Sequence, residues 1–328
     1  MTLTPPIPVG YALRHPEPDD LPAVAALLAV VTAMESGAPD FTEQELQGHW
    51  EALPLENDAW LTISPDHDVV GYAALHHQDH TVLQAEAYVH PNHVGLGIGS
   101  CLLETALARA HTHVALAATD AQVLIYNAIN ADNEAARRVL TRNGFTPCRH
   151  FWRMIMDLTQ PVPLPSWPHE IAVRTWASDA DDHVAYLTLE DAFQDHWAHL
   201  PVEFETWRRK GDAFDPGLWL LAFDGEECAG VLTAHHHLEM GWVEQLGVRR
   251  AWRGRGIGMA LLLHAFGTFV QRGWTQAGLD VDAASETGAT RLYARVGMRS
   301  AAGQATTVCQ KELRPAALCM TSGNGAAT

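Results

Sequence analysis

Most of this chain is written twice. The segment VHPNHVGLGIGSCLL, beginning at Val89, returns as VRRAWRGRGIGMALL at Val248, with Gly97 and Gly256 lying 159 residues apart. The neighbouring segments return in the same order. YALRHPEPDDLPAVAALLAVV from Tyr11 matches IAVRTWASDADDHVAYLTLEDAF from Ile171, and NEAARRVLTRNGF from Asn133 matches SETGATRLYARVGM from Ser285, 152 residues on. Matching order at a nearly constant offset implies two copies of one domain, with a small insertion in the first. Solenoid repeats are far shorter.

Between the copies lies LTQPVPLPSWPHE, residues 158–170, with four prolines. Proline fixes φ and lacks a donor, so an extended linker is expected here. The expected division is a first domain over 1–160, a linker over 161–169 and a second domain over 170–314. Residues 315–328 form a small, polar tail expected to be disordered. A length of 328 residues and 47% apolar content agree with two globular cores.

Within the second copy, LWLLAFD and CAGVLTAHHHL read as strands joined by a turn, and GWVEQLGV and AGLDVDA as two further strands. From Gly258 to Val270, Leu261, Leu262, Ala265, Phe266 and Phe269 recur at helical spacing. Ser285 is placed to cap a last helix with an inner stripe of Ala289, Leu292 and Val296, closed by Gly297. The expected class is α/β (α+β): two tandem domains, each a mixed, largely antiparallel sheet flanked by helices.

The glycine segment follows a strand and opens a helix. Unpaired N–H groups and the positive end of the helix dipole make that position an anion site. Glycines at 254, 256 and 258 let phosphates reach the backbone, and Arg253 and Arg255 add charge suited to phosphate oxygens. A pyrophosphate ligand is therefore expected. No GxxxxGK[ST] string is present, and the dinucleotide pattern GxGxxG fails at Met259. What remains is RxxGxG, from Arg253 to Gly258, ahead of an apolar helix.

Strand, RxxGxG, helix, strand and LYARVGM together resemble the GNAT superfamily of acetyl-CoA-dependent N-acyltransferases, in both halves. The two-copy layout is similar to that of mycothiol synthase-like bacterial proteins. The resemblance implies acetyl-CoA as co-substrate, held by Leu246, Gly247 and Val248 of the splayed strand and by Arg253, Gly254, Arg255, Gly256, Ile257, Gly258 and Met259. It also implies that the second copy carries catalysis, that the N–H near Leu246 faces the thioester oxygen, and that Tyr293 is the acid protonating the departing thiolate. Tyrosine and thiol have ordinary pKa values of about 10 and 8.5, so this proton transfer is reasonable. Ser285 stands where many relatives have Asn at a cofactor contact.

Glu244 is the one carboxylate on the central strand of the second copy. Desolvation there raises its pKa toward a range useful to a base. Relatives often carry the base two residues earlier, where this chain has Trp242. Orienting a partner or lining the acceptor pocket are the other roles open to Glu244. In the first copy Val94 and Leu96 replace the arginines, Thr141 replaces Tyr293 and Ala85 stands at the Glu244 position, so that copy is expected to be structural or a weak binder. The remaining alternative is a non-catalytic acyl-CoA-binding or regulatory protein with two degenerate copies.

Acceptor residues are expected in EDAFQDHWAHLPVEFETW, residues 190–207, where Asp191, Asp195 and Trp197 mix acid with aromatic character suited to a cation. Trp242 joins them, and the acceptor is expected to be the amine of a small molecule. A net charge of −18 excludes a general nucleic-acid binder. No segment has the apolar length of a membrane span and MTLTPPIPVG lacks signal-peptide character, so a cytoplasmic location is expected. Five scattered cysteines give no disulfide framework. HHQDH and HHH contain adjacent strand residues that face opposite ways, and HExxH is absent, so no metal is expected. Nor is there a GxSxG elbow. The two copies can pair within one chain, which suits a monomer.

Overall fold

A computed structural model describes residues 7–37, 39–194, 196, 202–208, 214–285 and 288–316. The first copy runs β1 (Ala12–Arg14), α1 (Leu21–Ser36), α2 (Glu43–Glu51), α3 (Leu55–Asp58), β2 (Ala59–Ile63), β3 (Val69–Gln78), β4 (Val82–Val89), α4 (Ile98–Val114), β5 (Val123–Asn130), α5 (Glu134–Arg142) and β6 (Thr146–Asp157). The second runs β7 (Ile171–Thr175), α6 (Ala180–Phe193), α7 (Phe204–Trp207), β8 (Leu220–Asp224), β9 (Glu227–His237), β10 (Met240–Val248), α8 (Ile257–Gln271), β11 (Gln276–Asp282), α9 (Ala289–Val296) and β12 (Arg299–Arg314). No helix or strand forms in the proline-rich stretch over 158–170.

The two compact units are cut differently from the two sequence copies. One unit combines residues up to Arg149 with those from Thr306 onward; the other spans His150–Ala305. In the first unit β5 pairs antiparallel with the second half of β12, from Thr306 opposite Asn130 to Arg314 opposite Val123. In the second, β11 pairs antiparallel with β6 over seven residues, from Gln276 opposite Asp157 to Asp282 opposite Phe151. Each unit thus takes one strand from the other copy's stretch of sequence. Arg314 completes the first unit by donating to the carbonyls of Ala121 and Val114, both at 2.9 Å, and of Ala118.

Strand alternation sorts side chains onto two faces in each unit. In the first unit Ala73 and Leu75 meet α4, while Tyr72 and Ala74 meet α1 and α2. In the second, Leu220 and Ala222 pack with α8, whereas Leu221 and Val231 pack with Ala185 and Leu189 of α6. All five apolar residues expected on the inner side of α8 are buried.

The last helix departs from expectation. Its inner residues are Tyr293 and Val296, and Leu292 is only partly buried. Its N-cap is Gly288, with φ +77°, rather than Ser285. The backbone N–H of Ser285 instead donates to the carbonyl of Asp282, which keeps that residue in the turn leaving β11. In the first copy Asn133 does cap α5, accepting from Ala136 N at 2.9 Å.

Candidate acyl-transfer site

The glycine loop takes the same shape in both units. Gly256 caps α8 at φ +89°, ψ −1°, and Gly97 caps α4 at φ +90°, ψ −2°. Gly254 and Gly95 are also left-handed. The loop conformation is therefore set by glycine, and its charge is a separate choice. At the position of Gly256 an added Cβ would meet nothing within 4 Å, so the approach to the backbone is open. The first bond closing the helix runs from Ala260 N to Gly256 O. The amides of Ile257, Gly258 and Met259 precede it and have no carbonyl within the helix to reach.

The two arginines differ from the expected phosphate ligands. Arg253 turns inward, with Nε donating to Val248 O at 3.1 Å and Nη2 to Ala192 O at 2.8 Å. It fastens the end of β10 to the end of α6. Arg255 stays largely exposed, 3.8 Å from Asp224, whose carboxylate also accepts from Trp252 Nε1. Arg253→Ala is consequently expected to cost about 1–3 kcal/mol through two carbonyls losing their donor. A thermal melt of the variant checks this; an unchanged melting temperature would mean that the two bonds carry no stability.

A gap opens beside β10. This strand pairs in parallel with β11 only at Gly241 opposite Ala277 and Trp242 opposite Gly278. Its pairing with β9 continues to Val248 opposite Gly230. From Val243 onward, the edge of β10 facing β11 has no strand partner among the described residues; Leu246, Gly247 and Val248 lie along this stretch. Gly247 is buried against Leu189 and Ala192 of α6.

Glu244 sits at a bulge in β10. Val243 pairs with Ala234 and Gln245 with Thr233, leaving Glu244 as the extra residue. In the first unit β3 and β4 pair without interruption, with Ala85 opposite Leu75 and Glu86 opposite Ala74. By this register Ala85 matches Val243, not Glu244, which has no counterpart. The bulge also breaks the alternation that would keep residues 242 and 244 on one face. The first unit does carry a carboxylate nearby: Glu86 accepts from Tyr88 Oη at 3.2 Å. Its gap is occupied, since Asn127 Nδ2 donates to Ala85 O at 2.8 Å.

Around Glu244 the structure gathers residues that the sequence reading missed. His235 Nδ1 lies 4.0 Å from Glu244 Oε2. The His237 ring is 5.6 Å from that of Trp242. The Arg153 guanidinium lies 4.8 Å from the Trp242 ring centroid and holds Asp280 by two bonds of 3.1 and 3.2 Å. Trp242 lies so close over Gly278 that a Cβ there would stand 2.6 Å from its Cζ3. The Glu244 side chain keeps 60% of its surface accessible. Desolvation first, and then the Asp280 charge, raise its pKa; His237 opposes them. The HHH run, considered only for metal, was the available clue to two of these residues.

Tyr293 is buried. Desolvation pushes its pKa up to about 12. This corrects the expectation of a phenol matched to a thiol. Thr141, at its place in the first copy, is exposed and donates to Arg137 O.

The expected acceptor residues fare unevenly. Asp191 accepts from Arg249 Nε at 3.2 Å. Asp195 and Trp197 lie outside the described residues. Phe204 and Trp207 turn toward Tyr186 of α6, at ring distances of 5.4 and 5.7 Å, and so serve packing.

Comparison with known proteins agrees with this architecture. The model of the acetyltransferase (GNAT) family matches residues 155–298, and that of an acetyltransferase (GNAT) domain matches 11–146. A mycothiol acetyltransferase of Thermobispora bispora is 32% identical over 85% of this chain and 92% of its own length. One of Nocardia farcinica is 31% identical over 85% and 90%. The crystal structure of a GCN5-related N-acetyltransferase from Sphaerobacter thermophilus superposes with a TM-score of 0.84 at 35% identity, covering 95% of this chain and 98% of that one. A tandem GNAT protein from the clavulanic acid biosynthesis pathway shares the fold, with a TM-score of 0.72 at 16% identity over 94% and 100%. No described helix is long and apolar enough to cross a membrane. Two matched GNAT domains in one chain, and relatives of this closeness along most of its length, set aside the non-catalytic alternative: the chain belongs to the GNAT acetyltransferases, as a tandem, mycothiol synthase-like acyltransferase.

Proposed function

We propose that the second unit transfers an acetyl group from acetyl-CoA to the amine of a small molecule by direct attack. The observation that carries this reading is the bulge placing Glu244 beside the unpaired edge of β10. That edge offers backbone groups to an extended pantetheine arm, and the N–H near Leu246 is the donor for the thioester oxygen. The free amides at the start of α8 hold the pyrophosphate, with Arg255 adding charge. Glu244 takes the proton of the attacking ammonium, and its raised pKa improves it for that task. Trp242, Arg153 and Asp280 form one wall of the acceptor pocket. The relatives' names make a mycothiol-type amine the first acceptor to test.

The test is release of coenzyme A thiol by the purified protein across a panel of amines, followed by a pH–rate profile with the best one. A base of raised pKa is inactive when protonated, so kcat/KM should climb with pH through that pKa. Glu244→Gln should lose this acidic limb and about 10-fold or more of kcat/KM. An unchanged profile assigns Glu244 to lining the pocket.

Cofactor placement is tested by a matched pair of variants. Gly256→Val and Gly97→Val force a β-branched residue into nearly the same left-handed backbone, each costing about 1–2 kcal/mol or more. Both should melt lower by similar amounts. Only Gly256→Val should weaken acetyl-CoA binding, by about 10-fold or more, since 1.4 kcal/mol corresponds to tenfold. Calorimetry reads both; equal loss of affinity would return the first copy to cofactor binding.

A further inference from the structure

The first unit brings together three histidines that the acyl-transfer site does not use. His77 lies near the end of β3, His80 in the turn to β4 and His113 near the end of α4. One nitrogen from each lies within 4.8 Å of the others. The rings of His77 and His80 stack at 4.3 Å, and both contact His113, at 4.5 and 5.0 Å. His113 is 1% exposed, and its Nε2 is buried with no hydrogen-bond partner among the described residues. That atom lies 3.8 Å from Asp58 Oδ1, while its Nδ1 stands 2.8 Å from Nδ1 of His80. Asp58 is itself buried and held by Arg109 Nε at 2.6 Å.

We infer that His77, His80 and His113 form a binding site for a divalent transition ion of the zinc class, with a fourth coordination position left to water. The donor set is suited to it. Neutral imidazole is a preferred ligand of zinc, and three of them leave the open position of a tetrahedral site. With Nε2–H of His113 toward Asp58, its Nδ1 lone pair faces the cluster, as in carboxylate–histidine–metal triads.

In a tetrahedral zinc site with bonds of about 2.0–2.1 Å, ligand nitrogens stand about 3.3 Å apart. His80 and His113 must therefore separate slightly and His77 must close in. His77 is exposed and His80 half-buried, so both rings can move while His113 stays fixed in the core. His80 and Asp79 also adopt positive φ, +58° and +47°, which aims the His80 ring from a two-residue left-handed turn. The fold does not require the cluster. At an offset of 159 the second copy has His236, Glu239 and Arg272, and His236 stacks on Trp274 instead.

The experiment uses the full chain, stripped by chelator and titrated with Zn(II) against a chromophoric competitor, then with Co(II). One equivalent of Zn(II) should bind, and Co(II) should develop the strong visible absorption of a tetrahedral site. His77→Ala and His80→Asn should each weaken Zn(II) binding by about 10²-fold, a ligand mattering at least as much as an outer partner. The asparagine tolerates the left-handed backbone. His76→Ala, which removes the neighbouring residue of β3, should bind as wild type. Zn(II) should raise the melting temperature of the wild type and not of the two ligand variants, whose metal-free melts control for folding. The assignment is overturned if less than about half an equivalent binds with zinc-site affinity. It is equally overturned if the His77 and His80 variants retain wild-type affinity, which would place the metal on other histidines.

Discussion

Tyr293→Phe is expected to lower turnover by about 10²-fold while acetyl-CoA affinity stays within about twofold. The substitution removes a hydroxyl and keeps the ring, which fills the inner side of α9 beside Val296. Packing is thus retained, and what is lost is the hydroxyl proposed to donate to the departing thiolate. The magnitude follows from the pKa. A phenol pushed up to about 12 is a poorer acid than the thiol it would protonate, so outright proton transfer runs uphill. We propose that Tyr293 acts first as a hydrogen-bond donor to the developing thiolate, completing the transfer only as charge builds there. Such donors contribute about 10²–10³-fold, the lower part of the range open to a general acid. The measurement is single-turnover rate at saturating substrates, because slow product release hides a damaged chemical step. Thr141→Ala should be silent. Near-normal single-turnover rate in Tyr293→Phe removes the residue from the chemistry.

The second large effect is on folding. A fragment of residues 165–328, which contains every residue proposed for catalysis and cofactor binding, is expected not to fold on its own. It lacks β6, which pairs with all seven residues of β11. It also lacks Met154 and Leu158, both buried in the core of that unit, and Arg153, which holds Asp280. Leaving β11 as a bare apolar edge invites association with other chains. Circular dichroism and size exclusion should show an aggregated or molten fragment, whereas one starting at 150 keeps the strand. A monomeric, cooperatively melting 165–328 fragment would mean that β6 is dispensable. The division of cofactor binding between the copies must accordingly be measured by point variants in the whole chain.

Much of this architecture is legible in the sequence alone. The duplication, the glycine loops, α8 and the strands of the second copy all rest on local signals: left-handed glycine, helical spacing, alternation. What escaped was decided at long range. β5 and β11 are equivalent strands, and nothing in the alternation of β6 or β12 says which of the two it will join. The bulge at Glu244 was hidden because a fixed offset between copies absorbs one inserted residue without trace. Arg253 was read as a phosphate ligand from its charge, but the carbonyls of Val248 and Ala192 compete for it. His113 carried no motif. It meets His77 and His80 only because α4 ends beside the turn between β3 and β4.

The exchange of strands also has a consequence in time. The strand that completes the first unit begins at Thr306, roughly 175 residues after Asn130, its partner on β5. At ~5–20 residues per second, about 10–35 s of synthesis separate the two. Through that interval β5 lies without its β12 partner, so the first unit closes only once residues 306–314 have been made. The second unit, spanning His150–Ala305, is by then fully synthesised, so the unit begun first is the last to close.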